Sequence, residues 1–311
     1  MSNATLDGPL FHSMLPYSDA DEYVDGVISF LQEGFDRGES AFVFAPGANV
    51  DQLRRALNGS IGDVNFFDAA DAARNPARII PAALRFAAEH VDSRVRLVGE
   101  GLWPGRSAAE VQEFVRHEAL ANVLLADVAA SILCPYDAVG LDPSIIEHAH
   151  RTHSHTIATD VCRLSSRYAD PSVTLSMTDR LSPPSATAQT FAYGDGDLIL
   201  LRSIVRDQAR AAGLSAERAD DIVLAVNEAG TNTLSYTNNG GQLRTWREAE
   251  TLVFEVSDSG RIALAHLAGR LTPPAAAPRG RGIWMINQLC DLVELRSDVT
   301  GTVIRMHVGV D

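Results

Sequence analysis

Cysteine is scarce in this chain, cationic charge is outweighed, and no long apolar run occurs; each shortage excludes something. The three cysteines, Cys134, Cys162 and Cys290, are odd in number and far apart in 311 residues, which argues against a disulfide framework and against a Cys-x-x-Cys metal site. They read as reduced core thiols. The 26 basic residues stand against 40 acidic ones, a formal net charge of -14, and no long Lys/Arg run offsets it. Nucleic acid and anionic membrane surfaces are therefore not expected partners. No window approaches the roughly 18 to 20 apolar residues that span a bilayer, and residues 1–11 lack a basic segment followed by an apolar one. A cytoplasmic location is the expectation.

What is present is globular composition, 46% hydrophobic and 21% charged, so a packed core is expected rather than disorder. A length of 311 residues exceeds the usual domain of about 100 to 200, so two cores are expected. The first half alternates periods. Residues 19–34 are amphipathic, 41–45 form a short apolar run and 50–57 are helical again. Strand patterns at 64–67 and 95–98 alternate with helical patterns at 76–90 and 108–122. Sequential β-α units predict a largely parallel sheet. After an apolar run at 129–134 and a Pro-Tyr-Asp turn at 135–137, a helix carries His148, His150 and His153 toward Ile157.

Periodicity weakens over residues 165–196, where Ser, Thr, Pro and Ala accumulate, and this stretch is expected to link a first domain at 10–164 to a second at 197–311. The second half predicts helices at 197–213 and 215–236, strands at 241–247 and 251–257, a Pro-rich loop at 272–278, a helix at 283–290 and strands at 292–296 and 302–308. That order fits helices on one face of a mixed sheet.

Three segments of this half carry the chemistry. In the helix at 225–236, Glu228 and Asn232 stand four residues apart and share a helical face, so a base and a metal ligand can serve one site. Taken alone, such spacing is the solvated stripe of an ordinary amphipathic helix. Next, Val-Ser-Asp-Ser-Gly at 256–260 ends a strand with Asp258 and Gly260, which in isolation is a turn signal. Finally, Pro-Arg-Gly-Arg-Gly-Ile-Trp at 278–284 sets Gly280 and Gly282 before a helix, with Arg279 and Arg281 beside them, where free N–H groups and a helix N-terminus can meet phosphate.

Together and in this order, the three segments resemble the nucleotide-binding boxes of the GHKL ATPases, and Asp-Asp-Ile-Val-Leu-Ala-Val-Asn-Glu-Ala-Gly-Thr-Asn at 220–232 resembles the anti-sigma-factor serine kinase branch. The resemblance covers about the last 115 residues and implies an α/β sandwich of the Bergerat type. It implies that Asn232 coordinates Mg²⁺ bridging the ATP phosphates, that Glu228 is general base toward the attacking hydroxyl, and that Asp258 accepts from the adenine amino group. Gly260, Arg279, Gly280, Arg281 and Gly282 would line the nucleotide, and Thr302, in Thr-Gly-Thr at 300–302, matches the terminal strand. The implied partners are an anti-sigma-factor antagonist of the STAS type, a sigma factor, or both, with room for a homodimer. Two departures stand out: Ser235 and Tyr236 occupy the region where a His often follows the first-box Asn, and Arg261 and Ile262 replace a second Gly after Gly260. They admit an alternative, a protein that binds ATP and sequesters a partner without phosphoryl transfer. A histidine kinase is the lesser alternative, because no helix pair bearing a phosphoacceptor His precedes the ATPase segment.

Residues 10–157 resemble the MEDS sensory domain, related to RecA/KaiC-like folds, through Gly38-Glu39, the 41–45 strand, Gly-Glu-Gly-Leu-Trp at 99–103 and Leu-Cys-Pro-Tyr-Asp at 133–137. Pro46 to Asn49 sit where an ancestral phosphate loop would lie, but no Gly-Lys-Ser/Thr follows, so ATP is not expected there. Glu100, Trp103, Tyr136 and His12 are candidates to line a sensory pocket at the strand ends. His148, His150, His153 and His155 have no spacing that makes all four converge, and no Cys lies within ligand spacing, so no metal is expected. The combined reading is a signal-transducing regulator with an ATP-dependent serine/threonine kinase output; the sensed signal is not legible.

Overall fold

The structure is a computed structural model that describes residues 8–57, 64–69, 74–158, 161–274, 276 and 280–310. The chain divides after Thr178 into two compact units, Met1–Thr178 and Asp179–Asp311. Among the described residues no helix is long and apolar enough to cross a membrane.

The first unit runs β1 (Leu10–Tyr17), α1 (Ala20–Phe35), β2 (Ala41–Ala45), α2 (Gly47–Leu57), β3 (Val64–Asp68), α3 (Ile79–Glu89), β4 (Val95–Gly99), α4 (Ala108–Leu124), β5 (Ala130–Asp137), α5 (Pro143–Thr152), β6 (His155–Ala158), β7 (Val161–Leu164) and α6 (Pro171–Met177). Its seven strands lie in the order β3-β2-β4-β5-β1-β6-β7, and all pairings are parallel except β7 against β6. This is the mainly parallel sheet expected from the β-α alternation. Both faces are covered, which is why its strands read as unbroken apolar runs. Val43, Ala45, Val98 and Leu133 pack with the residues of α1 and α2, whereas Phe42, Phe44, Leu97, Ile132 and Cys134 face the side chains of α3 and α4.

Local chemistry sets the helix starts. Asp19 accepts from the N–H groups of Asp21 and Glu22, and the stripe Tyr23, Val27, Phe30, Leu31 and Gly34 turns α1 onto the sheet. Ser107 and Glu110 form a capping box at α4. Residues 113–121 of α4 are buried on every side. Part of that burial comes from the stretch expected to be a linker: α6 lies against α4, and Gln112 and Arg116 donate to the Thr178 carbonyl at 3.0 and 3.1 Å.

Three readings of this half change. The strand β1 was not expected, because His12 and Ser13 interrupt its apolar run; it lies near the sheet centre, flanked by β5 and β6. Pro135, Tyr136 and Asp137 continue β5 instead of turning, since Pro135 faces β1 in register with Leu15. The histidine helix stops at Thr152, with His153 as its C-cap and His155 opening β6. At the start of α2, a Cβ on Gly47 would strike the Asp68 carboxylate, and Asn49 donates to Glu100 at 2.8 Å. Two carboxylates of the protein itself thus stand near the helix N-terminus where phosphates would sit.

The second unit runs β8 (Gln189–Tyr193), α7 (Leu198–Ala211), α8 (Ala216–Tyr236), β9 (Gly241–Glu248), β10 (Thr251–Asp258), α9 (Gly282–Leu289), β11 (Leu292–Asp298) and β12 (Gly301–Gly309). The strand order is β11-β12-β10-β9-β8, and every pairing is antiparallel, not mixed. Two hairpins, β9-β10 and β11-β12, join edge to edge through β10 and β12, and β8, inside the expected linker, closes the far side; the connection from β10 through α9 to β11 crosses over β12. Leu243, Phe254, Val256, Ile304 and Met306 face the core that Leu201, Val205, Ile222, Val226 and Ile286 complete from the helices. On the opposite face Arg244, Glu255, Arg305 and Glu294 pair in one transverse row.

Candidate functional site

The helix α8 begins at a Ser215 cap that accepts from the Arg218 N–H at 3.2 Å and runs 21 residues, long enough to carry Glu228 and Asn232 to its far end. Both are half-buried. The first turn of α9 faces them: a Cβ built on Gly282 would lie 3.1 Å from Glu228 Oε2 and 3.2 Å from Asn232 Nδ2. The first and third sequence segments therefore meet, and the absence of a side chain at Gly282 leaves a cradle between them. Among the described residues none hydrogen-bonds the side chain of Glu228 or Asn232. The side chain of Arg281 makes no capping hydrogen bond at the start of α9.

The second segment is tied to the first through a residue that sequence reasoning missed. Thr233, next to Asn232 and fully buried, donates to Asp258 Oδ2 at 2.7 Å and accepts from the Tyr193 hydroxyl at 2.8 Å. Burial pushes the Tyr193 phenol up to about 12, opposed by the Thr233 hydrogen bond and aided by the Asp258 charge, so it remains an O–H donor. The Gly260 N–H donates to Asp258 Oδ1 at 2.7 Å. Each Asp258 oxygen keeps a second lone pair, so the carboxylate is oriented but not exhausted. A threonine inside an apolar helix stripe, aligned with the strand that ends in Asp258, was the available signal for Thr233.

Thr302 shapes this corner from below. Its hydroxyl donates to the Gly260 carbonyl at 2.9 Å and shares a 2.8 Å bond with Ser297, whose oxygen accepts from the Ile262 N–H at 2.8 Å. The hydroxyl expected to bind cofactor therefore holds the chain that leaves Asp258. Gly301 is required beside it, with φ of 141° and its Cα against the Asp258 carbonyl. Gly280 adopts φ of 88°, and Arg281, exposed, donates to the Pro274 carbonyl at 3.3 Å. Arg279 lies outside the described residues. An open groove of about 760 Å³ borders Tyr193, Gly240, Asp258, Ser259 and Thr302 but does not reach Glu228, Asn232 or Gly282.

In the first unit the four residues expected to line one pocket separate into groups. Glu100 is buried with the Tyr17 hydroxyl at 2.9 Å; burial raises its carboxyl above the ordinary range against the hydrogen bonds of Asn49 and Tyr17. Trp103 lies under the Arg106 guanidinium, 3.8 Å from the ring centre. His12 and Tyr136 belong instead to a buried group around Glu118, and of the four later histidines only His153 reaches it.

Comparison with known proteins adds the following. Residues 11–154 match the MEDS model, the MEthanogen/methylotroph, DcmR Sensory domain, and residues 194–308 match the histidine kinase-like ATPase domain. No curated protein matches the chain. The solved RsbU and RsbW domains of Rv1364c from Mycobacterium tuberculosis are similar over 40% of this chain and 33% of that one, at 14% identity and a TM-score of 0.31. The histidine kinase AdeS of Acinetobacter baumannii is similar over 76% of this chain and 96% of that one, at 9% identity and a TM-score of 0.25. The present chain spans about a third of the Mycobacterium tuberculosis structure, and neither likeness bears on function at these scores. The two family matches bracket the two folded units, and the chain accordingly joins a MEDS sensory domain at 11–154 to a histidine kinase-like ATPase domain at 194–308.

Proposed function

We propose that this chain is a signal-transducing regulator whose C-terminal domain binds Mg-ATP and phosphorylates a serine or threonine of an antagonist protein of the STAS type, in competition with a sigma factor. The supporting observation is the cradle in which Gly282 lies against Glu228 Oε2 and Asn232 Nδ2, side chains that no described residue hydrogen-bonds. Asn232 would hold Mg²⁺ through its amide oxygen, and the ion, when bound, supplies charge neutralisation among phosphate oxygens. Gly280, Gly282 and the open end of α9 offer N–H groups to phosphate, with Arg279 and Arg281 as added charge. Asp258, oriented by Thr233 and Gly260, accepts from an adenine amino group. Glu228 receives the proton of the incoming hydroxyl at its carboxylate.

The test is calorimetric titration of ATP with Mg²⁺ into the full chain and into Asn232→Ala and Asp258→Ala, coupled to transfer of labelled phosphate to candidate STAS proteins. Loss of binding in Asp258→Ala and loss of transfer in Glu228→Ala support the kinase. Binding without transfer to any partner favours sequestration, and a wild type that binds no ATP overturns the nucleotide site.

A further inference from the structure

Four side chains from separate elements converge in the core of the first unit: His12 of β1, Glu118 of α4, Cys134 of β5 and His153 at the end of α5. All four are buried, and one donor atom from each lies within 4.8 Å of the others. His12 Nε2 is 3.2 Å from Glu118 Oε2 and 3.4 Å from Cys134 Sγ. His153 Nε2 is 3.4 Å and Cys134 Sγ 3.8 Å from the same carboxylate oxygen. A tetrahedral ion with bonds of about 2.0 Å to N and O and about 2.3 Å to S needs edges of roughly 3.3 to 3.8 Å. Four of the six edges, at 3.2 to 3.8 Å, fall close to that size, and the remaining two are no longer than 4.8 Å.

The outer hydrogen bonds fix which ring nitrogens face inward. Asn122 donates its amide N–H groups to the carbonyls of Glu118 and Thr152 at 3.0 and 2.7 Å, so its oxygen faces His12 Nδ1 at 3.1 Å. His153 Nδ1 is 2.8 Å from the Ala149 carbonyl. Both acceptors require Nδ1–H, which leaves the Nε2 lone pair of each ring aimed at Glu118. An acceptor facing an acceptor in a buried core is costly. A single added proton relieves one ring only, the other having at most the weak S–H donor of Cys134 beside His12 Nε2, and His153 Nε2 has no hydrogen-bond partner. A divalent ion relieves both rings at once and, with one carboxylate and one thiolate, makes the centre neutral. The Tyr136 hydroxyl, 3.4 Å from Glu118 Oε1, steadies the remaining oxygen. Metal-bound histidines and carboxylates carry outer partners of this kind. The apolar wall of Phe42, Phe44, Leu97, Phe114 and Ile132 beside the group limits water.

We propose that the first unit binds one divalent transition-metal ion of tetrahedral preference, such as zinc, through His12 Nε2, Glu118 Oε2, the Cys134 thiolate and His153 Nε2. Coordination displaces the Cys134 thiol proton to solvent. Sequence spacing could not display this group, because its members come from four elements and not from the histidine-rich segment alone.

The experiment uses the full chain, stripped with a chelator and dialysed, then loaded with Zn²⁺ for metal analysis and with Co²⁺ for visible spectroscopy. One equivalent of zinc per chain is expected, as are the tetrahedral bands and thiolate charge-transfer band of the cobalt form. Cys134→Ser should abolish that charge-transfer band. Asn122→Ala, which keeps all four ligands, should weaken zinc by roughly 10- to 100-fold. His148→Gln with His150→Gln should leave one equivalent bound. A wild type that retains no zinc, a cobalt form without the thiolate band, or an unchanged spectrum in Cys134→Ser overturns the proposal. If Cys134→Ser fails to fold, the wild-type cobalt spectrum and Asn122→Ala still decide.

Discussion

In the first unit the polar side chains that meet are enclosed and surrounded by their own outer partners, as His12 is by Asn122 and His153 by Ala149. In the second, Glu228 and Asn232 stand half-buried at a helix end with no described side chain answering them. Enclosed groups contribute to the integrity of their fold, whereas groups left open at element ends cost the fold little and are available to a ligand. Mutations should separate the two: in the first unit stability falls, and at the second site binding falls.

The sharpest separation is Glu118→Ala. In the zinc-loaded chain, removing the one carboxylate that faces the ion and both imidazoles leaves buried charge without its partner, at a cost of about 3 to 5 kcal/mol, so the unfolding transition of the first unit should shift accordingly in urea, followed by fluorescence. Affinity for ATP should not change. A shift below about 1 kcal/mol would mean that the enclosed group is not what holds this core.

Enclosure is also found in the second unit, away from its open site. Glu294 is buried beside His307 Nε2 at 2.9 Å and Arg305 Nη1 at 3.5 Å. Burial works against its charge, but the His307 hydrogen bond and the charges of His307, Arg305 and Arg296 prevail and hold the carboxyl below the ordinary range. A depressed folded pKa contributes stability that is present above the unfolded value of about 4.3 and is lost as pH falls through the folded value. Glu294→Gln should therefore cost about 1.5 to 3 kcal/mol near neutrality and progressively less in acid, flattening the acid limb of the second transition. An unchanged acid limb would show that this enclosure does no electrostatic work.

Gly282→Ala tests the open site from the other direction. An alanine in a helix is favoured over glycine by up to about 1 kcal/mol, so stability should hold or rise. The new Cβ would fill the space 3.1 Å from Glu228 Oε2 and 3.2 Å from Asn232 Nδ2, and ATP affinity should fall about tenfold by calorimetry. Retained affinity would detach Gly282 from the site.

Legibility followed the same division. The segments at Glu228, Asp258 and Gly282 stood out because each carries a local signal, a helix face, a strand end or a glycine before a helix, and the fold brings the first and third together and ties the second to the first through Thr233. The strand β2 and the helix α4 were legible for the same reason, an uninterrupted apolar run at 41–45 and a helical pattern at 108–122. The strand β1 was not, because a parallel sheet buries His12 and Ser13 on opposite faces, and polar residues inside a strand look like interruptions until their partners are known. The cluster of His12, Glu118, Cys134 and His153 spans 141 residues of sequence separation and exists only once β1 lies beside β5 and α4 packs over both. Strand β8 and helix α6 hid in a Ser- and Pro-rich stretch because edge elements are short and half exposed.

The smallest effect belongs to charges that are neither enclosed nor at a site. Arg206 on α7 and Asp220 on α8 approach to 3.3 Å, with 37% and 71% of their side chains exposed. Water and salt screen such a pair, and holding two flexible side chains together offsets much of the attraction, so Arg206→Ala should cost no more than about 0.5 kcal/mol in the second transition. The exposed pair also serves as the control for Glu294→Gln. If Arg206→Ala flattened the acid limb as much as Glu294→Gln does, net charge rather than burial would be the cause; if it leaves that limb intact, the acid sensitivity comes from the enclosed carboxylate.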